Sequence, residues 1–168
     1  MYFMYLHTIP PSRRYDPTIE STHHKTIRFR KVHFATDIVD TAGMDEFSRL
    51  SRNASLGVHG YALVFSICSK QSFDMITLVN DALLNTLGDA PDVPRVLVGS
   101  MKDLSGEQRQ VAYADAQKLA DKWGVPYMEC SSKTGENVAE VFHTLLKEIE
   151  KDDGLLTESD EGFTCNIL

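Results

Sequence analysis

DIVDTAGMDE, Asp37 to Glu46, joins a short apolar strand (Ile38, Val39) to an aspartate, Asp40, that runs straight into a Thr-Ala-Gly turn. An aspartate at a strand end suits a metal site beside a phosphate, because Mg²⁺ takes oxygen ligands and keeps several waters. Gly43 lets a backbone amide come close to such a ligand where a side chain would block it. Taken alone, Asp-Thr-Ala-Gly reads as an ordinary strand-ending turn. Three other segments change the reading by their order. YDPTIE (Tyr15 to Glu20) stands a hairpin's length upstream, GSMKD (Gly99 to Asp103) follows one apolar strand, and CSSK (Cys130 to Lys133) follows another.

The rest of the chain supplies the elements between these loops. Lys25 to Phe29 and Val32 to Asp40 read as two strands close enough to form a hairpin, although Arg30-Lys31 lacks the glycine or asparagine that tight turns favour. Tyr61 to Ile67 and Arg95 to Gly99 are short, almost unbroken apolar runs, as strands buried on both faces require. Helical spacing follows in Ile76, Val79, Leu83, Leu84 and Leu87 up to Gly88, and again in Ala116, Leu119, Ala120 and Trp123 up to Gly124. A last apolar stripe runs through Val138, Val141, Phe142, Leu145, Leu146 and Ile149. Asn137 with Glu140 three residues on has the spacing of a capping box. Strands alternating with helices predict an α/β fold, a doubly wound and mostly parallel sheet with its ligand loops at the carboxyl ends of the strands.

With YDPTIE, DTAG, GSMKD and CSSK in this order, the chain resembles the Ras-family small GTPases, and its wording is shared with the Ras and Rheb branches. The resemblance runs from about Tyr15 to the C-terminus and implies the small G-protein fold, with GTP or GDP and Mg²⁺ as ligands. It implies that Thr18 and Asp40 contact Mg²⁺ and that Thr18 and Gly43 meet the γ-phosphate. It implies that Asp103 accepts hydrogen bonds from guanine N1 and N2, beside Ser100 and Met101. Ser131, Ser132 and Lys133 stand where the family has its Ser-Ala-Lys loop. Effector proteins are expected at Tyr15–Glu20 and Gly43–Leu50.

Several positions depart from the family pattern. Met44 occupies the place of the glutamine that orients the attacking water, and a thioether cannot make that hydrogen bond. In the guanine-reading motif Asn-Lys-x-Asp only the aspartate is kept: Ser100 is too short for the asparagine's bridging contacts, and Met101 offers only an apolar stem. A phosphate-binding loop needs two glycines five residues apart followed by Lys and Ser or Thr, and none of the ten glycines here has that spacing. The expected layout is an atypical segment over 1–14 in place of the first strand, phosphate loop and first helix, then a truncated Ras-like domain over 15–151. A flexible acidic tail follows over 152–168. MYFMYLHTI has the aromatic and β-branched content of a strand.

Composition excludes other classes. The formal charge of −7 shows no basic stripe for nucleic acid, and three scattered cysteines make neither a disulfide framework nor a zinc site. Apolar runs fall short of the roughly 20 residues that span a bilayer, and MYFMYL lacks the basic lead of a signal peptide, so a cytoplasmic chain is expected. CNIL, Cys165 to Leu168, fits a Cys-a-a-X prenylation signal at Cys165, with leucine favouring geranylgeranyl. One lipid without a basic cluster predicts weak or escorted residence on the cytoplasmic face of membranes, through a single prenyl group and a prenyl-binding escort.

Two readings follow. One is a guanine-nucleotide switch that hydrolyses GTP slowly. The other is a pseudo-GTPase that holds nucleotide poorly and works as a protein-interaction module.

Overall fold

The computed structural model describes residues 2–8, 20–30, 32–41, 58–88 and 93–152. Among the described residues, six strands form one sheet in the spatial order β2-β3-β1-β4-β5-β6. They are β1 (Tyr2–Thr8), β2 (Glu20–Phe29), β3 (Val32–Thr41), β4 (Gly60–Ser66), β5 (Arg95–Ser100) and β6 (Tyr127–Glu129). β1 lies parallel to β3 on one side and to β4 on the other. β5 and β6 continue the parallel run, and β2 is antiparallel, paired with β3 from Glu20 opposite Thr41 to Phe29 opposite Val32.

β4 is buried along its whole length, as an apolar run flanked by strands and covered on both faces must be. On one face Tyr61, Leu63, Phe65 and Ile67 pack against Phe73, Ile76, Val79 and Leu83 of α1 (Lys70–Thr86) and Ala116 and Ala120 of α2 (Tyr113–Trp123). On the other, Ala62, Val64, Val96 and Val98 receive Val141, Leu145, Leu146 and Ile149 of α3 (Val138–Asp152). Ile27, Phe29 and Phe34 of the hairpin lie half-buried beside this second cluster. Gly60 is where α3 comes closest: a Cβ there would stand 2.9 Å from both Leu145 and Ile149.

The helix ends follow their local chemistry. Ser69 caps α1 by accepting from the Ser72 amide, and Gly124 closes α2 in the left-handed conformation. The hairpin does turn at Arg30, with φ of 55°, so an arginine takes the left-handed geometry for which glycine or asparagine was wanted. The capping box read at Asn137 is not formed. Asn137 is left-handed (φ 57°), and its side-chain amide donates to the Glu129 carbonyl at 2.8 Å, anchoring the helix entry to β6.

The N-terminal β-rich stretch forms β1 in the middle of the sheet, its backbone paired on both sides. Residues 9–19 and 153–168 lie outside the described residues, as does the division of the chain at residue 14.

Candidate functional site

Because β1, β3, β4, β5 and β6 all run in parallel, their carboxyl ends share one edge of the sheet. The order reverses around β1, whose chain neighbours go to one side and β4 to the other, and such a switch point leaves a crevice for a ligand. Asp40 sits near the end of β3, Ser66 ends β4, Ser100 ends β5, and Glu129 ends β6. From β3 to β5 is three strand spacings, roughly 14 Å at about 4.8 Å each, a span that an extended nucleoside triphosphate covers.

Beyond β5 the chain turns sharply. Met101 is left-handed (φ 66°, ψ 35°), and Lys102–Leu104 forms one turn of 3₁₀ helix closed by the Leu104 amide on the Met101 carbonyl at 2.9 Å. This turn lifts Asp103 toward the loop after β6. Ser131, fully buried, donates its hydroxyl to Asp103 Oδ1 at 2.6 Å and accepts from the Thr134 amide at 3.2 Å. Lys133 Nζ stands 3.8 Å from the other oxygen, Oδ2. A fixed carboxylate presented in this way accepts hydrogen bonds and donates none, which is the chemistry required to read a base edge carrying two N–H donors. Ser132 and Lys133 are exposed along the same rim.

The two loops are joined twice more. The Lys102 amide donates to the Cys130 carbonyl at 3.0 Å, and Lys102 Nζ reaches Glu136 Oε1 at 2.6 Å. That hydrogen bond, with the Glu136 charge, holds the Lys102 ammonium above the ordinary lysine range. Ser100 and Met101 turn inward instead. Ser100 Oγ donates to the Phe65 carbonyl at 2.9 Å, and Met101 Sδ accepts from Ser66 Oγ at 3.2 Å. Both side chains tie the loop down to the end of β4.

Beneath the loops lies a polar knot that the sequence did not announce. Arg109 grips Glu129 with two hydrogen bonds of 2.9 and 2.7 Å, and the Tyr127 hydroxyl donates to the same carboxylate at 2.8 Å. Burial pushes the Glu129 carboxyl up, but the Arg109 and Tyr127 hydrogen bonds and the positive charges of Arg109 and Lys102 outweigh it and hold it below the usual carboxylate range. Burial raises the Tyr127 phenol. The only signal available in advance was a glutamate closing an otherwise apolar strand immediately before CSSK.

Asp40 faces Ser21 of β2 and Leu6 of β1 in register, and one strand-end carboxylate is what Mg²⁺ takes from a protein when phosphates and waters complete its octahedron. Thr18, Gly43, Met44 and Cys165 lie outside the described residues, so the structure brings together Asp103, Ser131 and Lys133 and leaves the first switch, the second switch and the prenylation signal undescribed. His23 and His24, on opposite faces of β2, bind Ser21 and Asp37 respectively.

A model of the Ras family matches residues 10–151. The GTP-binding protein Rheb homolog of Dictyostelium discoideum is 44% identical over 137 residues, covering 82% of this chain and 73% of its own. GTP-binding protein rhb1 of Schizosaccharomyces pombe is 46% identical over 137 residues with the same coverage. GTP-binding protein Rheb of Homo sapiens is 35% identical over 154 residues, covering 92% of this chain and 82% of its own.

Proposed function

The chain belongs to the Ras family of small GTPases, in its Rheb-like branch, and from that premise we propose a guanine-nucleotide-dependent signalling switch with weakened nucleotide grip and slow hydrolysis. The observation that carries this reading is the Asp103 carboxylate, steadied by Ser131 and flanked by Lys133 beyond the carboxyl end of β5. Asp103 accepts from guanine N1 and N2, and adenine offers no such pair of donors. Thr18 and Asp40 supply oxygen ligands for Mg²⁺, which neutralises the phosphate charge. Gly43 gives its amide to the terminal phosphate. Ser132 and Lys133 border the base and sugar.

Affinity and rate are lowered at separate points. Met44 cannot orient water, Ser100 is committed to the Phe65 carbonyl, and Met101 to Ser66, so neither reaches a base as the longer polar residues would. Within these 168 residues no glycine-rich loop nests the phosphates. Effectors are proposed to engage Tyr15–Glu20 and Gly43–Leu50, and a prenyl group on Cys165, with an escort protein, brings the chain from the cytoplasm to the membrane face.

Titration of this chain with fluorescent GDP in Mg²⁺ tests the proposal. Micromolar binding displaced by GTP and GDP and poorly by ATP agrees with it. Binding that stays undetectable at millimolar nucleotide sinks it and leaves the second reading, which Met44, Ser100 and Met101 favour: a pseudo-GTPase that serves as an interaction module.

A further inference from the structure

Lys102 stands at the variable position of the guanine-reading motif, where the side chain has no part in reading the base. Here it is not idle. Its ammonium reaches Glu136 at 2.6 Å, across the gap between the loop after β5 and the loop after β6. Glu136 is not a bystander in its own loop: its carbonyl accepts from the Ser131 amide at 3.0 Å, and its amide donates to Thr134 Oγ1 at 3.3 Å. Ser131 in turn carries the hydroxyl that fixes Asp103. Lys102 and Asp103, neighbours in sequence, are therefore each bound to the same short segment, one through Glu136 and the other through Ser131.

We infer that the Lys102–Glu136 ion pair is a clasp that holds segment 131–136 against the turn at 101–104 and so positions Asp103, Ser132 and Lys133 around a purine base. The inference rests on the nucleotide reading above and deepens it by assigning two positioning residues. The motif's asparagine would normally help bridge such loops, but Ser100 is tied to the Phe65 carbonyl. The Lys102–Glu136 pair adds a side-chain tether to the Ser131–Asp103 and Lys102–Cys130 hydrogen bonds that already join the loops. The pair is well suited to adjustment and poorly suited to holding the fold: its side chains are 33% and 50% exposed, and exposed ion pairs contribute little to stability and weaken with salt. Its effect belongs in the residence time of the nucleotide, because opening the 131–136 segment uncovers one edge of the base.

The test uses the full chain with Lys102→Met, Glu136→Gln, and the exchanged pair Lys102→Glu with Glu136→Lys. The clasp predicts that each single variant releases fluorescent GDP about three- to tenfold faster, with the melting temperature unchanged. Combining Lys102→Met with Glu136→Gln adds no further acceleration, and the exchanged pair restores slow release. Raising KCl speeds release from the parent chain and not from the single variants. Release unchanged in both single variants overturns the clasp, and so does an acceleration matched by a lower melting temperature with no rescue by exchange. If the parent chain binds no GDP, the nucleotide reading fails while the clasp is still read by amide hydrogen exchange. Faster exchange at Ser131 and Lys102 in the single variants, rescued by the exchanged pair, supports it; exchange equal to the parent's overturns it.

Discussion

A carboxylate as buried as Glu129 is tolerated because both of its oxygens accept from donors inside the protein, two hydrogen bonds from Arg109 and one from Tyr127. Removing the arginine while keeping its volume, Arg109→Met, leaves an uncompensated buried charge and is expected to cost about 3 kcal/mol at pH 7, measured by urea unfolding. The pH dependence follows from the depressed carboxyl. In the parent chain its stabilisation is complete above the unfolded glutamate value and is lost as pH falls through the lower folded value. In the variant only the Tyr127 hydrogen bond and the Lys102 charge are left to oppose burial and the carboxyl rises, so the gap between the two proteins is widest near neutrality and narrows in acid. A gap that stays constant from neutral pH to about pH 4 would show that Arg109 acts through packing alone. Asp103 was singled out by its place in GSMKD, and the structure sets it against the loop after β6. Its partner Ser131 was legible only as part of the following loop, since nothing in a one-dimensional string says which hydroxyl will meet which oxygen.

Elements were legible where periodicity is strong and the tertiary demand is simple. The unbroken apolar runs became the central strands β4 and β5, and the stripe from Val138 to Ile149 became the face of α3 that covers Ala62, Val64, Val96 and Val98. Turn chemistry was harder to read. Arg30 accepts a left-handed backbone because ten consecutive cross-strand pairings fix the strands around it, and those outweigh the roughly 1–2 kcal/mol that such a conformation costs a side-chain-bearing residue. Asn137 gives its amide to β6 where a cap was expected, since the helix must enter beside Glu129. The packing of β5 on β6 depends on Gly99, where a Cβ would stand 2.7 Å from the Tyr127 hydroxyl and 2.8 Å from Ile67. Tyr127 is held by Glu129 and has nowhere to retreat, so Gly99→Ala is expected to destabilise the chain by about 1–3 kcal/mol. Thermal unfolding within experimental error of the parent would mean that β6 shifts without cost.

At the scale of the whole molecule, the sheet order places Asp40 and Asp103 on the same edge with β1 and β4 between them, so the proposed metal end and the proposed base end of the site fall on different strands. The class of fold was legible in the alternation of strands and helices. The central place of β1 rested on composition alone, for the pairing that seats Tyr2–Thr8 between β3 and β4 is non-local. Two of the proposed weaknesses, Ser100 and Met101, lie at the base end. Restoring both lost polar residues, Ser100→Asn with Met101→Lys, is expected to tighten GDP binding at least about tenfold, or roughly 1.4 kcal/mol, without altering preference for guanine over adenine. An unchanged dissociation constant in fluorescence titration would place the weakness elsewhere. The central claim, that the turn after β5 and the loop after β6 form a guanine site, is tested most directly by recording backbone amide NMR spectra of the chain during titration with Mg²⁺-GDP and, separately, Mg²⁺-ADP. The account predicts that Lys102, Asp103, Ser131, Ser132 and Lys133 shift with GDP and stay in place with ADP; equal shifts with both nucleotides, or none at these five amides, would contradict it.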